Sequence, residues 1–102
     1  MGEKYNKLVR DKIPEILDKK GIPYEKRIAT DDEYLAELIL KLKEEVNEFI
    51  EAKNTEELAD ILEVIEALKQ LPDYFGVEDV RLQKKNERGG FDKRLILKGE
   101  KD

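Results

Sequence analysis

The sequence contains no cysteine and no histidine. Without cysteine the chain has no disulfide framework, no zinc-thiolate site and no thiol nucleophile, and without histidine it has no imidazole ligand or base. Any catalysis must therefore use carboxylates, lysines, hydroxyl groups or a bound metal.

Long apolar runs are also missing. The stretch MGEKYNKLVRDK has no apolar core of signal-peptide length, and no segment approaches the roughly 18 apolar residues of a membrane span. The formal net charge of −5 argues against binding along a nucleic-acid backbone. We therefore expect a soluble, cytoplasmic protein that has neither a membrane nor a nucleic acid as its partner.

What is present suits one folded domain. The chain has 102 residues, of which 39% are hydrophobic and 44% are charged. A chain of this length can bury a bit under two thirds of its unfolded surface, which is typical of a single core. We predict one domain over residues 1–102.

Local signals predict two helices in the first half of the chain. RDKIPEILDKKG predicts a short helix with Asp11 as its N-cap, Pro14 in its first turn and Gly21 at its exit. TDDE is a capping box, in which Thr30 starts a long helix that runs to about Ala52.

Two more helices are predicted in the second half. Either Asn54 or Thr55 can cap the third helix, which runs to about Gln70 before Pro72. A weaker fourth helix spans about residues 77–88 and stops at paired glycines. Apolar residues recur at three- and four-residue spacing on both long helices, and the short loop between them forces the helices antiparallel and adjacent.

Two further stretches are predicted to be extended, IPYEKRIA and GFDKRLILK. They share an aromatic-acid-Lys-Arg-aliphatic order at residues 24–28 and 91–95, which indicates a small two-stranded ribbon. The alternative is two unrelated irregular segments. The predicted fold is therefore all-α: an antiparallel helical hairpin with flanking helices, similar to a four-helix bundle completed by oligomerisation, plus this ribbon.

The stretch EEVNEFIEAKNTEELAD places acids at matching heights on the two long helices. Level residues in an antiparallel hairpin have index numbers with a constant sum, and Glu45 with Asp60 gives the same sum as Glu48 with Glu57. On a helical wheel these acids face the partner helix or its rim. Other acids are predicted to point outward as solvated surface: Glu44, Glu51, Glu56, Glu63 and Glu66.

Four converging carboxylates repel one another, and burying an unpaired charge costs several kcal/mol, so a cation should fill the gap. Hard oxygen ligands select Mg²⁺, Mn²⁺ or Ca²⁺, of which Mg²⁺ is the first expectation. In the alternative interpretation, Glu57 only serves the helix dipole, while Glu45 and Glu48 pair with Lys41, Lys53 or a neighbouring chain.

These residues resemble the MazG superfamily of all-α nucleoside triphosphate pyrophosphohydrolases. Its mark is a Glu-Glu-x-x-Glu helix followed by a Glu-x-x-Asp helix, which are EEVNE (44–48) and ELAD (57–60) in this chain. YNKLVRDKIPEIL and KKNERGGFDKR are similar to a small single-domain branch described as house-cleaning pyrophosphatases. One departure is that eight residues separate Glu48 from Glu57, which is shorter than the typical spacing.

The resemblance implies that Glu45, Glu48, Glu57 and Asp60 are catalytic and hold Mg²⁺, with Mn²⁺ as an alternative. The implied reaction splits the α-β phosphoanhydride of a nucleoside triphosphate, including non-canonical ones, into a nucleoside monophosphate and pyrophosphate. The runner-up is phosphoribosyl-ATP pyrophosphohydrolase, a relative with the same metal motif. A rival from another class is a non-catalytic helical interaction module whose acids bind a structural cation or a basic partner.

A triphosphate carries more charge than one metal neutralises, so basic side chains are expected beside it. Arg10 and Arg88 are favoured because both lie in the stretches that resemble the family. The alternative is solvated surface charge. The full predicted substrate-binding set is Lys7, Arg10, Lys85, Asn86 and Arg88, with Asn6 as a further polar contact and Tyr5, Tyr34 and Phe91 as stacking candidates or core aromatics.

A partner subunit is also expected. Two long helices cannot alone enclose a nucleotide, so a second copy should complete the core and the pocket. We predict a homodimer or homotetramer.

Overall fold

The structure, a computed structural model, describes residues 6–101. This range contains four α-helices and one short 3-10 turn at Pro72–Tyr74, and no strand. The all-α prediction is therefore confirmed. The chain divides into two compact units, at Leu68 and Lys69. The helices are α1 (Ile13–Lys19), α2 (Asp31–Ala52), α3 (Thr55–Lys69) and α4 (Val77–Arg88).

The start of α1 differs from the prediction. Its N-cap is Lys12, which makes no side-chain cap hydrogen bond, so the prediction that Asp11 caps the helix is wrong. The reason is a turn before the helix: the N–H of Ile13 donates to the carbonyl of Arg10 at 3.1 Å, which places Asp11 inside the turn. Pro14 lies in the first turn as predicted.

The capping box of α2 is confirmed. The hydroxyl of Thr30 accepts from the N–H of Glu33, and the Glu33 carboxylate accepts from the N–H of Thr30, both at 3.3 Å. Arg27 adds two guanidinium bonds to the same carboxylate, at 2.6 and 2.5 Å. This Arg27 contact holds the pKa of Glu33 below its usual value.

The connection from α2 to α3 is as tight as predicted. Lys53 takes a left-handed conformation with φ +52°, and its N–H donates to the carbonyl of Phe49 at 2.7 Å. Asn54 caps α3, because its side-chain oxygen accepts from the N–H of Glu57 at 2.9 Å. Since these two residues alone separate the helices, the chain reverses and α3 returns along α2.

The hairpin buries little apolar surface. Within residues 6–101, the buried hydrophobic side chains are Leu38 of α2, 3% exposed, and Val64 of α3, 7% exposed. Much of the two apolar stripes therefore remains at the surface of the single chain. The large exposed residues of these stripes include Ile39, Val46, Ile50, Leu58, Leu62 and Ile65.

The predicted two-stranded ribbon is absent from the described part of the chain. Residues 22–30 have no regular secondary structure, and residues 91–94 form a turn in which the N–H of Arg94 donates to the carbonyl of Phe91 at 3.1 Å. Arg94 has φ +58°, which a continuous strand does not allow. Ile28 and Phe91 are almost fully exposed, so no apolar packing favours pairing.

The second unit contains α4, which has the predicted bounds and ends at Gly89 with φ +83°. No residue of α4 is buried. Glu78 is hydrogen bonded to Arg81, which lowers its pKa, and lies 3.6 Å from the Lys69 ammonium. Over the described residues, no helix has both the length and the apolar character needed to cross a membrane.

Candidate functional site

Four carboxylates of the hairpin converge, as the level pairing predicts. Glu45 and Glu48 of α2 and Glu57 and Asp60 of α3 each offer one oxygen, and these four oxygens all lie within 4.8 Å of one another. The three-residue spacing on each helix stacks two acids on one side, facing the partner helix. We call this group the carboxylate centre; no second group of this kind occurs in the described range.

Glu45 is the most enclosed member of the carboxylate centre. It is 5% exposed and is the one buried polar residue among residues 6–101, whereas Glu57 and Asp60 are half-buried and Glu48 is exposed. Glu45 Oε2 and Glu57 Oε2 are buried and accept no hydrogen bond. An unsatisfied buried charged group costs a few kcal/mol, so these two oxygens call for a ligand.

The charge of Glu45 is poorly compensated by the protein. Burial raises the pKa of Glu45, the neighbouring Glu48 carboxylate raises it further, and Lys41 opposes both. Desolvation and a like charge both disfavour the ionised form. A bound cation would reverse this balance, because a positive charge favours the ionised form of every acid in the centre.

Lys41 supports one side of the centre. Its ammonium lies 3.3 Å from Glu45 Oε1 and 3.5 Å from Glu44 Oε1, one turn back along α2. The alternative interpretation, that Glu45 pairs with Lys41, is therefore correct for one oxygen. It does not account for Glu45 Oε2, which stays without a partner.

Two basic side chains of the segment before α1 also lie beside the centre. Arg10 pairs with Asp60 Oδ1 at 2.7 Å, and Lys7 pairs with Glu44 Oε1 at 2.8 Å. Both are predicted substrate-binding residues, and the structure brings both beside the carboxylate centre. Sequence separations of 50 and 37 residues give no local signal for these pairs.

Glu44 corrects one expectation. The helical wheel predicts solvated surface at Glu44, but its side chain is 32% exposed and contacts both Lys7 and Lys41. The Lys7 contact lowers the pKa of Glu44, in contrast to its neighbour Glu45. The three-residue spacing from Lys41 is the sequence signal that could have indicated a paired acid.

A small cavity of about 140 Å³ lies next to these ion pairs. Asn6, Lys7 and Leu8 form one wall, so the predicted polar contact Asn6 lines a space beside Lys41. The other wall consists of α2 residues Glu37, Leu40, Lys41 and Glu44.

The remaining predicted contacts lie elsewhere in the chain. Lys85, Asn86 and Arg88 are exposed on α4 in the second unit, and their substrate-binding role stays a prediction. Of the stacking candidates, Tyr34 is half-buried in the first turn of α2, Phe91 is 98% exposed, and Tyr5 lies outside the described residues.

The donor set fits a hard divalent cation. The centre offers carboxylate oxygens from facing helices, and two buried oxygens have no other partner. Oxygen-only sites favour Mg²⁺, Mn²⁺ and Ca²⁺ over softer metals. The carboxylate centre can therefore hold a metal ion of this class.

Comparison with known proteins adds no relative to this picture. No family model matches the chain, and neither a curated protein nor a solved structure is significantly similar to it. The geometry of the carboxylate centre is therefore the structural basis for assigning a function.

Proposed function

We propose that this chain is a Mg²⁺-dependent nucleoside triphosphate pyrophosphohydrolase that releases a nucleoside monophosphate and pyrophosphate. The observation that carries the proposal is the convergence of four carboxylates, two of which have buried oxygens without a partner. The resemblance of EEVNE and ELAD to the two motifs of the MazG superfamily supports it.

The metal ligands in this proposal are the four acids of the carboxylate centre. A bound Mg²⁺ supplies neutralisation of phosphoryl charge and a lower pKa for bound water, with Mn²⁺ as an alternative ion. Lys41 contacts Glu45 and fixes its orientation. Glu48 is the exposed acid of the four, which suits it to accept a proton from the attacking water.

Basic residues of the first unit would meet the triphosphate. Lys7 and Arg10 already lie beside the centre through their ion pairs with Glu44 and Asp60. Guanidinium groups bind phosphate in a bidentate manner, which favours Arg10. Lys85, Asn86 and Arg88 remain the proposed contribution of α4.

The functional form in this proposal is a homodimer or homotetramer. The described part of the chain buries two hydrophobic side chains, and both apolar stripes of the hairpin have exposed members, including Ile50 and Leu62. A second hairpin would cover these stripes as in a four-helix bundle. Sedimentation of the wild type should show an oligomer, and Ile50→Lys combined with Leu62→Lys should shift the protein toward monomer.

A substrate panel tests the activity. The protein is incubated with Mg²⁺ and canonical and modified nucleoside triphosphates, with phosphoribosyl-ATP included, and products are separated by chromatography. We expect nucleoside monophosphate and pyrophosphate in equal amounts. Glu45→Gln should lower the rate by at least about 100-fold, because it removes a charged metal ligand.

The matched control is Glu63→Gln, an exposed acid of α3 outside the carboxylate centre, which should retain activity. Release of orthophosphate alone, or equal rates for Glu45→Gln and Glu63→Gln, would contradict the proposal. If no substrate is cleaved, and Glu45→Gln with Asp60→Asn raises thermal stability without changing cation binding, the chain is a non-catalytic interaction module.

A further inference from the structure

The basic side chains beside the carboxylate centre differ in their exposure to water. Lys41 lies on α2, one turn from Glu45, and its side chain is 20% exposed. Arg10 lies before α1, its side chain is 55% exposed, and its partner Asp60 is 37% exposed. Ion pairs this accessible to water contribute little stability, so Asp60 can exchange Arg10 for a stronger partner.

The charges around the centre favour such an exchange. Five acids and three basic side chains lie in this network, which leaves two formal negative charges, the charge that one divalent cation neutralises. Glu45 Oε2, in a residue that is 5% exposed, has no partner, so the network is incomplete with its own cations alone. The members are Glu44, Glu45, Glu48, Glu57 and Asp60 with Lys7, Arg10 and Lys41.

We propose that Arg10 is an exchangeable counter-ion of Asp60. It neutralises Asp60 in the cation-free protein and gives up this carboxylate when a divalent cation binds the centre. The released guanidinium then binds the phosphate chain of the substrate, a last step that rests on the proposed function. Arginine suits this double role because its planar fork of donors matches carboxylate and phosphate alike.

If the exchange occurs, Arg10→Met should change the affinities for Mg²⁺ and for tripolyphosphate in opposite directions. Removing Arg10 removes both a competitor and a positive charge, so the variant should bind Mg²⁺ alone roughly three- to tenfold more tightly in calorimetry. With saturating Mg²⁺, the same variant should bind inorganic tripolyphosphate about tenfold more weakly. Arg10→Lys keeps the charge and should fall between the wild type and Arg10→Met in both measurements.

The matched control is Arg27→Met, which removes an equally charged side chain from Glu33 in the first turn of α2. Glu33 lies about 18 Å along the helix from Glu45, so cation affinity should change less than twofold. Circular dichroism checks that both variants are folded.

The outcomes separate this inference from the proposed function. Unchanged or weaker Mg²⁺ binding by Arg10→Met overturns the exchange, even if the wild type hydrolyses triphosphates. Tighter Mg²⁺ binding with unchanged tripolyphosphate binding overturns the phosphate step. Tighter Mg²⁺ binding in a protein that cleaves no triphosphate supports the exchange and counts against the proposed function alone.

Discussion

Two glutamates of α2 show how one residue type serves two purposes on one helix. Glu33, in the first turn, accepts from the Thr30 N–H and from two guanidinium nitrogens of Arg27, and its pKa is lowered. Glu45, three turns later, is buried beside Glu48, leaves Oε2 without a partner, and has a raised pKa. The fold supplies hydrogen-bond partners for the Glu33 carboxylate, but it supplies none for Glu45 Oε2.

The difference distinguishes a carboxylate that stabilises the fold from a carboxylate that is available to bind a ligand. A carboxylate at a helix N-terminus stabilises the helix through its hydrogen bonds and the dipole. A buried carboxylate that has an oxygen without a hydrogen-bond partner destabilises the folded chain until a cation binds. Substitutions at Glu33 and at Glu45, or at their partners, should therefore have different effects.

The largest expected effect is on ligand binding. Glu45→Gln combined with Glu57→Gln removes both acids that have unpartnered oxygens, and we expect Mg²⁺ affinity and hydrolysis to fall by at least about 100-fold. Glu33→Gln should change neither by more than about twofold, because Glu33 belongs to the helix cap. Similar losses in the two proteins would remove the distinction between cap and centre.

Cation removal should have the next largest effect. A ligand that binds the folded state alone stabilises it by about 2.7 kcal/mol at 100 times its dissociation constant. Mg²⁺ should therefore raise the melting temperature of the wild type, and a chelator should reverse the increase. The same titration on the double variant should give a flat response; a rise there would place the stabilising cation elsewhere.

Glu45 should impose a pH dependence on the cation-free protein. Its pKa in the folded state is raised above 4.5, so the folded state holds this proton more tightly than the unfolded state. Ionisation of Glu45 therefore lowers stability as the pH rises from 4.5 through the folded pKa, and stability is favoured below that window.

Glu45→Gln should accordingly stabilise the cation-free protein by about 1 kcal/mol at pH 7. The advantage should disappear as the pH falls well below 4.5, the ordinary value above which burial raises the pKa of Glu45. Urea unfolding of the two proteins across this range measures the difference directly. A variant less stable than the wild type at pH 7 would mean that Lys41 fully compensates the buried charge.

The smallest expected effect belongs to the helix cap. Thr30→Ala removes the hydroxyl that accepts from the Glu33 N–H and should lower stability by about 0.5–1 kcal/mol. Mg²⁺ affinity should stay unchanged, since Thr30 and the carboxylate centre lie at opposite ends of α2. Urea unfolding measures the loss of stability, and calorimetry on the folded variant measures its Mg²⁺ affinity.

Local and periodic signals predicted the helices well. The capping box at Thr30, the cap at Asn54 and the glycine after Arg88 set the helix ends, and each acts through hydrogen bonds within a few residues. Index pairing across the short connection placed the four carboxylates, because two residues between helices leave one register. The all-α fold and the carboxylate centre were therefore predictable.

Long-range contacts and irregular segments were not. The pairs Arg10–Asp60 and Lys7–Glu44 depend on where the segment before α1 crosses the hairpin, which no spacing rule records. The prediction of a ribbon is wrong because a shared residue order does not determine the φ angle of Arg94, where a turn replaces the strand. The prediction that Asp11 caps α1 is wrong for a similar reason, since Asp11 lies inside the turn that the Ile13 N–H closes on the Arg10 carbonyl.

Binding of Mn²⁺ to the protein without nucleotide tests the central claim most directly. Electron paramagnetic resonance distinguishes free from bound Mn²⁺, and the titration compares the wild type with Glu63→Gln and with the Glu45→Gln, Glu57→Gln double variant. The account predicts bound Mn²⁺ in the first two proteins and an at least 100-fold weaker affinity in the third, on the order expected for losing two charged ligands. Equal binding by all three proteins, or no binding by the wild type at millimolar Mn²⁺, would contradict it.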